Sequence, residues 1–339
     1  MPHPIVPLDW PAPGDVPLGL IGGTGRSGTT ALRDALARHP DVLAFPEVRF
    51  SIDPDGLVDF YRAFETGWSP YHADVRLRRL AALLAAVADD RVAAWPGRVG
   101  RKLGLDVRLG RQLVPAYHGH RALDVCPSFL DRAEELIDAL TAYRYEGAWT
   151  GTPGGARAEV RVGGPYEPQA LAAVLGGFWR AVAADALAHA DKRFFLDKQT
   201  WSILWFDAIL DLLPEARLVH IVRDPRDVAA STALMRWGPT DPLAAAQWTA
   251  DVLDRWAEVR NNVPADRFLE VRLEDLGDDP EGVLRRVCAF YDLGWHDALL
   301  AADLSKTRAG RWRRDLGEHA EAVRQRLAAH VAAYGYDPE

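Results

Sequence analysis

Residues 17–39 read PLGLIGGTGRSGTTALRDALARH. Pro17 to Gly22 is a short apolar run suited to a buried strand. Gly22 to Gly28 is a glycine-rich turn, and Thr29 to His39 has helical periodicity. Strand, glycine-rich turn and helix in that order make an anion cradle. The N–H groups of the turn and of the helix N-terminus converge on negative charge. The spacing differs from the nucleotide-binding Walker loop, G-x-x-x-x-G-K-[ST]. Gly23 and Gly28 stand correctly, but Thr29 occupies the lysine position and the loop's cation is Arg26. A turn without a ligand is the bland alternative. Four glycines, several hydroxyls and an arginine within nine residues favour anion binding over it.

Outward from this stretch, strand and helix signals alternate. Val42 to Phe45, Arg193 to Asp197, Ala216 to Val222 and Arg267 to Arg272 are strand candidates. Ser202 to Leu213 and Pro280 to Tyr291 are helix candidates. The alternation predicts an α/β fold in which a mainly parallel sheet carries helices on both faces. Residues 1–16 read as an irregular arm. Residues 57–190 look mainly helical, best at Val75 to Asp90, Ser128 to Tyr143 and Pro168 to Ala190. Residues 146–168 are rich in glycine and proline and predict a long loop, with a short hairpin at Ala158 to Val162. A loop of that length can serve as a lid.

A second basic cluster, Arg223-Asp224-Pro225-Arg226-Asp227, follows the apolar run Ala216 to Val222. Asp224 can cap the next helix, with Pro225 at its first position. Ligands of open parallel sheets lie beyond the carboxyl ends of strands, where Arg223 stands. Ser231 lies about two turns into the helix. An arginine and a hydroxyl together suit a phosphate group. A surface ion-pair cluster is the bland reading.

Composition narrows the classes. The 339 residues carry 40 basic and 48 acidic side chains, a formal net charge of −8. That argues against general binding to nucleic acid or anionic membrane. Cys126 and Cys288 are too few and too far apart for a disulfide framework or a zinc site, so both read as buried thiols. The unbroken apolar run Ala81 to Ala88 is too short to span a bilayer. No secretory signal is visible, so a cytoplasmic location is expected.

The two basic motifs together resemble sulfotransferases that use 3′-phosphoadenosine 5′-phosphosulfate (PAPS). IGGTGRSGTTALRDALARHPDV (21–42) resembles their 5′-phosphosulfate loop, and ARLVHIVRDPRDVAAS (216–231) their 3′-phosphate motif. FLDKQTW (195–201), LEVRLEDLGDDPEGVLRRVCAF (269–290) and YGYDP (334–338) also match. Bacterial sulfotransferases and tyrosylprotein sulfotransferases are the nearest in pattern. The resemblance implies a P-loop-like three-layer fold and a single domain over 1–339, with 57–190 an insertion covering the acceptor site. It implies sulfuryl transfer from PAPS to an acceptor hydroxyl without a metal. Gly25, Arg26, Ser27, Gly28, Thr29 and Thr30 fall on the 5′-phosphosulfate loop. Arg223 and Ser231 fall on the residues that hold the 3′-phosphate. Glu47, in HPDVLAFPEVRF, falls on the general base of the tyrosylprotein enzymes, and Arg49 near the acceptor. Lys198 falls on the family lysine, which with Arg26 would stabilise the leaving phosphate. KTRAGRWRR (306–314) loosely resembles a late basic loop over the nucleotide, making Arg311, Trp312 and Arg313 candidates. Family members are often dimeric, so the resemblance leaves room for a homodimer, while no interface is readable in the sequence.

The stretch between Glu47 and Lys198 is far longer than in the tyrosylprotein enzymes. A small molecule or natural product is therefore preferred as acceptor over a protein tyrosine. Two other functions compete. One is a magnesium-dependent P-loop kinase or NTPase, with Asp197 as its Walker B acid. The other is a nucleotide-binding module without turnover. His118 and His120 could form an alternative base or metal pair, but a lone His-x-His is more often incidental. His220 fits a buried strand and reads as packed. Trp149, Trp179, Trp201, Trp205 and Trp237 could line an acceptor pocket, with core packing the default for each.

Overall fold

The computed structural model describes residues 4–89, 120–147, 158–304 and 310–339. In chain order the first elements are β1 (Leu18–Gly23), α1 (Thr29–Leu36), β2 (Val42–Ala44), α2 (Leu57–Thr66) and α3 (Pro70–Ala88). Then come α4 (Phe129–Ala139), β3 (Tyr143–Gly147), β4 (Ala158–Val162), α5 (Pro168–Ala190) and β5 (Phe194–Lys198). α6 (Phe206–Leu212), β6 (Leu218–Val222), α7 (Pro225–Ala233), α8 (Pro242–Asn261) and β7 (Phe268–Arg272) follow. The last are α9 (Leu273–Asp278), α10 (Pro280–Phe290), α11 (Trp312–Leu316) and α12 (Ala320–Ala333).

These elements form two compact units. The first comprises Met1–Val16, Phe45–Asp191 and Asp211–Pro214; the second comprises Pro17–Ala44, Lys192–Leu210 and Glu215–Glu339. The second unit holds a five-stranded sheet in the order β2-β5-β1-β6-β7, parallel throughout. β1, β5 and β6 are buried at every position, as parallel strands covered on both faces must be. One face packs Ile21, Val219, Ile221 and Val271 against Leu32 and Leu36 of α1 and Leu284 and Val287 of α10. The other packs Val222 with Ala246 and Ala250 of α8 and Val323 and Leu327 of α12. The result is a central sheet flanked by helices, the three-layer arrangement expected from the alternation. β1 is followed in sequence by strands on one side of it and then by β6 on the other. That reversal puts the β1 and β6 carboxyl ends at a switch point, where open sheets bind ligands.

The first unit is built on helices α2 to α5 and the antiparallel pair β3–β4. Phe50, Phe129, Phe178 and Trp179 form its aromatic centre, with Phe50 lying 5.6 Å from Trp179 between ring centroids. The arm residue Trp10 donates to Glu135 at 3.0 Å and packs on Phe178. α5 has the length and apolar composition of a membrane span. Its window is 78% buried inside the protein, as in the core helix of a globular unit.

Three expectations need correction. The short hairpin expected at Ala158 to Val162 is a single strand, β4, whose antiparallel partner is β3. The helix predicted over Ser128 to Tyr143 stops at Ala139, and Tyr143 opens β3 instead. β3 has mostly exposed side chains, so its strand character comes from pairing with β4, which local periodicity does not reveal. The helix predicted from Ser202 begins as a tighter 3-10 turn over Thr200–Trp205 before α6. Cys126 and Cys288 are buried free thiols, as read from the sequence.

Candidate active site

β1 ends at Gly23, and the chain turns through Thr24 to Gly28 into α1. Three left-handed positions make this turn possible. Gly25 has φ +80°, Arg26 has φ 57° and Gly28 has φ +99°. Gly28 is the N-cap of α1 and offers no side-chain cap. The N–H groups of the first helical turn are thus left for another acceptor. A Cβ at Gly23 would collide with the Ser27 hydroxyl, so the loop folds tightly over its own strand. Ser27 is fully buried, and its Oγ has no hydrogen-bond partner in the structure. Ser202 Oγ is in the same condition and lies under Gly22. Sequence reading passed over Ser202; only its packing beneath the loop reveals it. Thr29 is buried and Thr30 exposed.

The second basic motif starts where β6 ends. Asp224 caps α7 by accepting from the Arg226 N–H at 2.9 Å, and Pro225 takes the first position, as predicted. The two motifs are joined directly. Arg26 Nε donates to Ser231 Oγ at 3.0 Å, and Arg223 Nη1 donates to the Arg26 carbonyl at 3.1 Å. Partial burial and then the charge of Arg223 hold the Arg26 guanidinium below the ordinary arginine range. Asp227 lies 3.7 Å from Arg223 but spends its carboxylate elsewhere. It accepts the backbone N–H groups of Gly310, Arg311 and Trp312 at 2.6, 3.0 and 2.8 Å.

The remaining predicted residues are distributed as follows. Lys198 is the last residue of β5, 5% exposed, and pairs in register with Ile21. Asp197 is buried before it and accepts from the Gln199 side-chain amide at 3.0 Å. Arg311 and Arg313 are exposed. Trp312 belongs to the core around Val222, with the guanidinium groups of Arg226 and Arg313 each 4.5 Å from its ring. Glu47 and Arg49 belong to the first unit, in the loop after β2. Glu47 is half-buried, and Arg49 pairs with Asp53 at 2.7 Å. His118, Trp149 and the Lys306 end of the late basic loop lie outside the described residues, as does part of the 146–168 loop. His120 is exposed. His220 is fully buried, bonds Glu270 at 3.1 Å and packs 4.9 Å from Trp256, which is the packed role expected.

Trp201 and Trp237 meet a third tryptophan, Trp248, with ring centroids 6.3 to 6.5 Å apart. Trp237 is half exposed and lies beside Gly25. Trp179 is instead core of the first unit. A separate cavity of about 610 Å³ in the first unit is lined by Leu8, Trp10, Tyr61, Gln169 and Arg180 among others. The residues predicted for the site do not line it.

Two arginines from distant motifs, a bridging serine hydroxyl, an uncapped helix N-terminus and buried hydroxyls without partners converge at the strand ends. The two guanidiniums repel, and the Ser27 and Ser202 hydroxyls lack partners. An anion with several phosphate-like oxygens would relieve both costs. The residues fit a doubly phosphorylated nucleotide in this respect. Among the described residues, no group of three or more His, Cys, Asp or Glu side chains is placed to hold a metal.

Comparison with known proteins bears on the same reading. Residues 112–297, more than half of the chain, match the model of the sulfotransferase family. A curated relative is the omega-hydroxy-beta-dihydromenaquinone-9 sulfotransferase Stf3 of Mycobacterium tuberculosis (strain CDC 1551 / Oshkosh). It is 32% identical over 155 residues, which cover 38% of this chain and 38% of that protein. The match to its Mycobacterium bovis counterpart has the same extent. Among solved structures, sulfotransferase STF9 from Mycobacterium avium aligns with a TM-score of 0.48 at 16% identity, covering 96% of this chain and 78% of that one. The sulfotransferase domain of the Synechococcus PCC 7002 olefin synthase aligns at 0.42 and 20% identity, covering 92% and 85%. On the extent of the family match, the chain belongs to the sulfotransferase family.

Proposed function

We propose that the chain moves the sulfuryl group of PAPS to the hydroxyl of a small-molecule acceptor. The observation that carries this reading is the joining of Arg26, Arg223 and Ser231 above the uncapped start of α1. In the proposed site the P-loop-like turn Gly25 to Thr30 takes the 5′-phosphosulfate. Arg223 and Ser231 take the 3′-phosphate. Arg311 and Arg313 add positive charge near the nucleotide, while Trp312 supports them from the core. The acceptor oxygen attacks sulfur as the bond to the bridging phosphate oxygen breaks. Glu47 accepts the hydroxyl proton, and the leaving group is adenosine 3′,5′-bisphosphate. Arg26 and Lys198 stabilise the charge gathering on the bridging oxygen, so fixed cations supply the field and no metal is needed. Arg49 and residues 57–190 belong to the acceptor side. The mycobacterial relative's name specifies a hydroxylated dihydromenaquinone, which supports a small-molecule acceptor over a protein tyrosine.

Calorimetric titration with adenosine 3′,5′-bisphosphate, in the presence of chelator, tests the donor site. Metal-free binding is expected, and Arg223→Ala should weaken it by tenfold or more, about 1.4 kcal/mol or above. Binding of ADP with magnesium in place of the bisphosphate would overturn the proposal in favour of a kinase or NTPase. With PAPS and a competent acceptor, Glu47→Gln should lower kcat by about 100-fold while bisphosphate affinity holds, and Lys198→Ala should lower kcat by a similar factor. Undiminished turnover would remove the residue concerned from the mechanism.

A further inference from the structure

We propose that Arg226 and Tyr336 are positioning residues for 3′-phosphate recognition, binding the segment Tyr336–Glu339 to the helix start that presents Arg223 and Ser231. The inference rests on the donor reading above.

Arg226 follows Arg223 by three residues, yet it does not share its role. It is 3% exposed, and its guanidinium is committed on every side. Nε and Nη2 engage the Asp224 carboxylate at 3.0 and 2.8 Å. Nη2 also donates to the Asp337 carbonyl at 2.6 Å. Nη1 donates to the Pro338 and Glu339 carbonyls, each at 3.3 Å. Trp312 covers the flat face. A buried guanidinium is tolerated only when its donors are satisfied, and here a segment more than a hundred residues away satisfies them.

The circuit closes through Tyr336. Its hydroxyl donates to Glu274 Oε2 at 2.8 Å, and Arg272 lies 4.0 Å over its ring. The other oxygen of Glu274 accepts the Asp224 N–H at 3.1 Å. Asp224 is therefore held at its backbone through Glu274 and Tyr336, and at its side chain through Arg226. Both routes end on the same segment. Asp224 is the residue directly after Arg223 and caps the helix that carries Ser231. Its placement sets where the proposed 3′-phosphate ligands point.

The test compares two nucleotides that differ in the group concerned. Adenosine 3′,5′-bisphosphate and adenosine 5′-monophosphate are titrated into the full chain, Arg226→Lys and Tyr336→Phe. Lysine keeps the charge but lacks the planar fork that spans Asp224 and the carbonyls. Arg226→Lys should weaken bisphosphate binding about tenfold and Tyr336→Phe about threefold, with monophosphate affinity changed less than about twofold. A general loss of structure would weaken both nucleotides alike, and that result overturns the proposal. So does unchanged bisphosphate affinity in the variants. If Arg226→Lys does not fold, Tyr336→Phe, which removes a single hydroxyl, decides by the same criterion. Failure of the unvaried chain to bind bisphosphate would sink the donor reading and this inference together. Binding that both variants leave intact would sink this inference alone.

Discussion

Ser27 and Gly28 carry, at single-residue scale, local costs that the proposed donor ligand would offset. The Ser27 hydroxyl is buried without a partner, a state costing about 1–3 kcal/mol. Ser27→Ala should leave the ligand-free protein as stable or more stable, while weakening adenosine 3′,5′-bisphosphate. Urea denaturation and calorimetry together check this. A variant both less stable and equally tight in binding would refute it. Gly28 has φ +99°, and a Cβ there would strike Leu273. Gly28→Ala should cost about 2 kcal/mol, read as a lower denaturation midpoint. At this scale the sequence was informative wherever a residue type has one reason to stand where it does. The glycines, Arg26, Arg223 and the Asp224-Pro225 cap were legible in that way. Ser202 was not, because a serine at the start of a helical turn carries no local sign of lying beneath a loop from another part of the chain.

At the scale of elements, α7 is the piece on which the proposed donor site depends. Asp224 caps it, and its first turn carries Asp227, which receives three N–H groups at the start of α11. Asp227→Asn removes the charge and half of that acceptor capacity. The expected loss is about 1–3 kcal/mol of stability. Weaker bisphosphate binding is also expected, because Arg311 begins that helix. Unchanged midpoint and affinity would show that α11 is held by Trp312 packing alone. Helices with strong end signals were legible. α5 begins at Pro168 and ends at Ala190 as read, and α7 begins at Pro225 as read. β3 was not, since an exposed strand acquires its identity from its partner.

For the molecule as a whole, the sheet and its covering helices are linked by a polar knot around Glu270 of β7. Burial alone would raise its carboxyl. His220 of β6 at 3.1 Å, Trp256 of α8 at 2.9 Å and Arg260 at 3.0 Å outweigh that and hold it below the ordinary glutamate range. A carboxylate lowered on folding contributes stability above its unfolded value and loses it as pH falls through the folded one. Stability of the second unit should thus decline as pH drops below about 4.3, and Glu270→Gln should show a shallower acid limb. Denaturation midpoints across that range check it, and identical acid limbs would count against it. The sequence by itself determined the alternation of strands and helices, the burial of β1, β5 and β6, and the placing of both basic motifs after strand ends. Each of these is a local matter of periodicity, backbone φ or capping. Only the tertiary structure decided that Arg26 meets Ser231, that Trp312 is a core residue rather than an open surface, and that Tyr336–Glu339 holds the start of α7. Those contacts join residues far apart in the chain. Their geometry is set by the order of strands in the sheet and by the need of buried guanidinium and carboxylate groups to find partners, which no local pattern encodes.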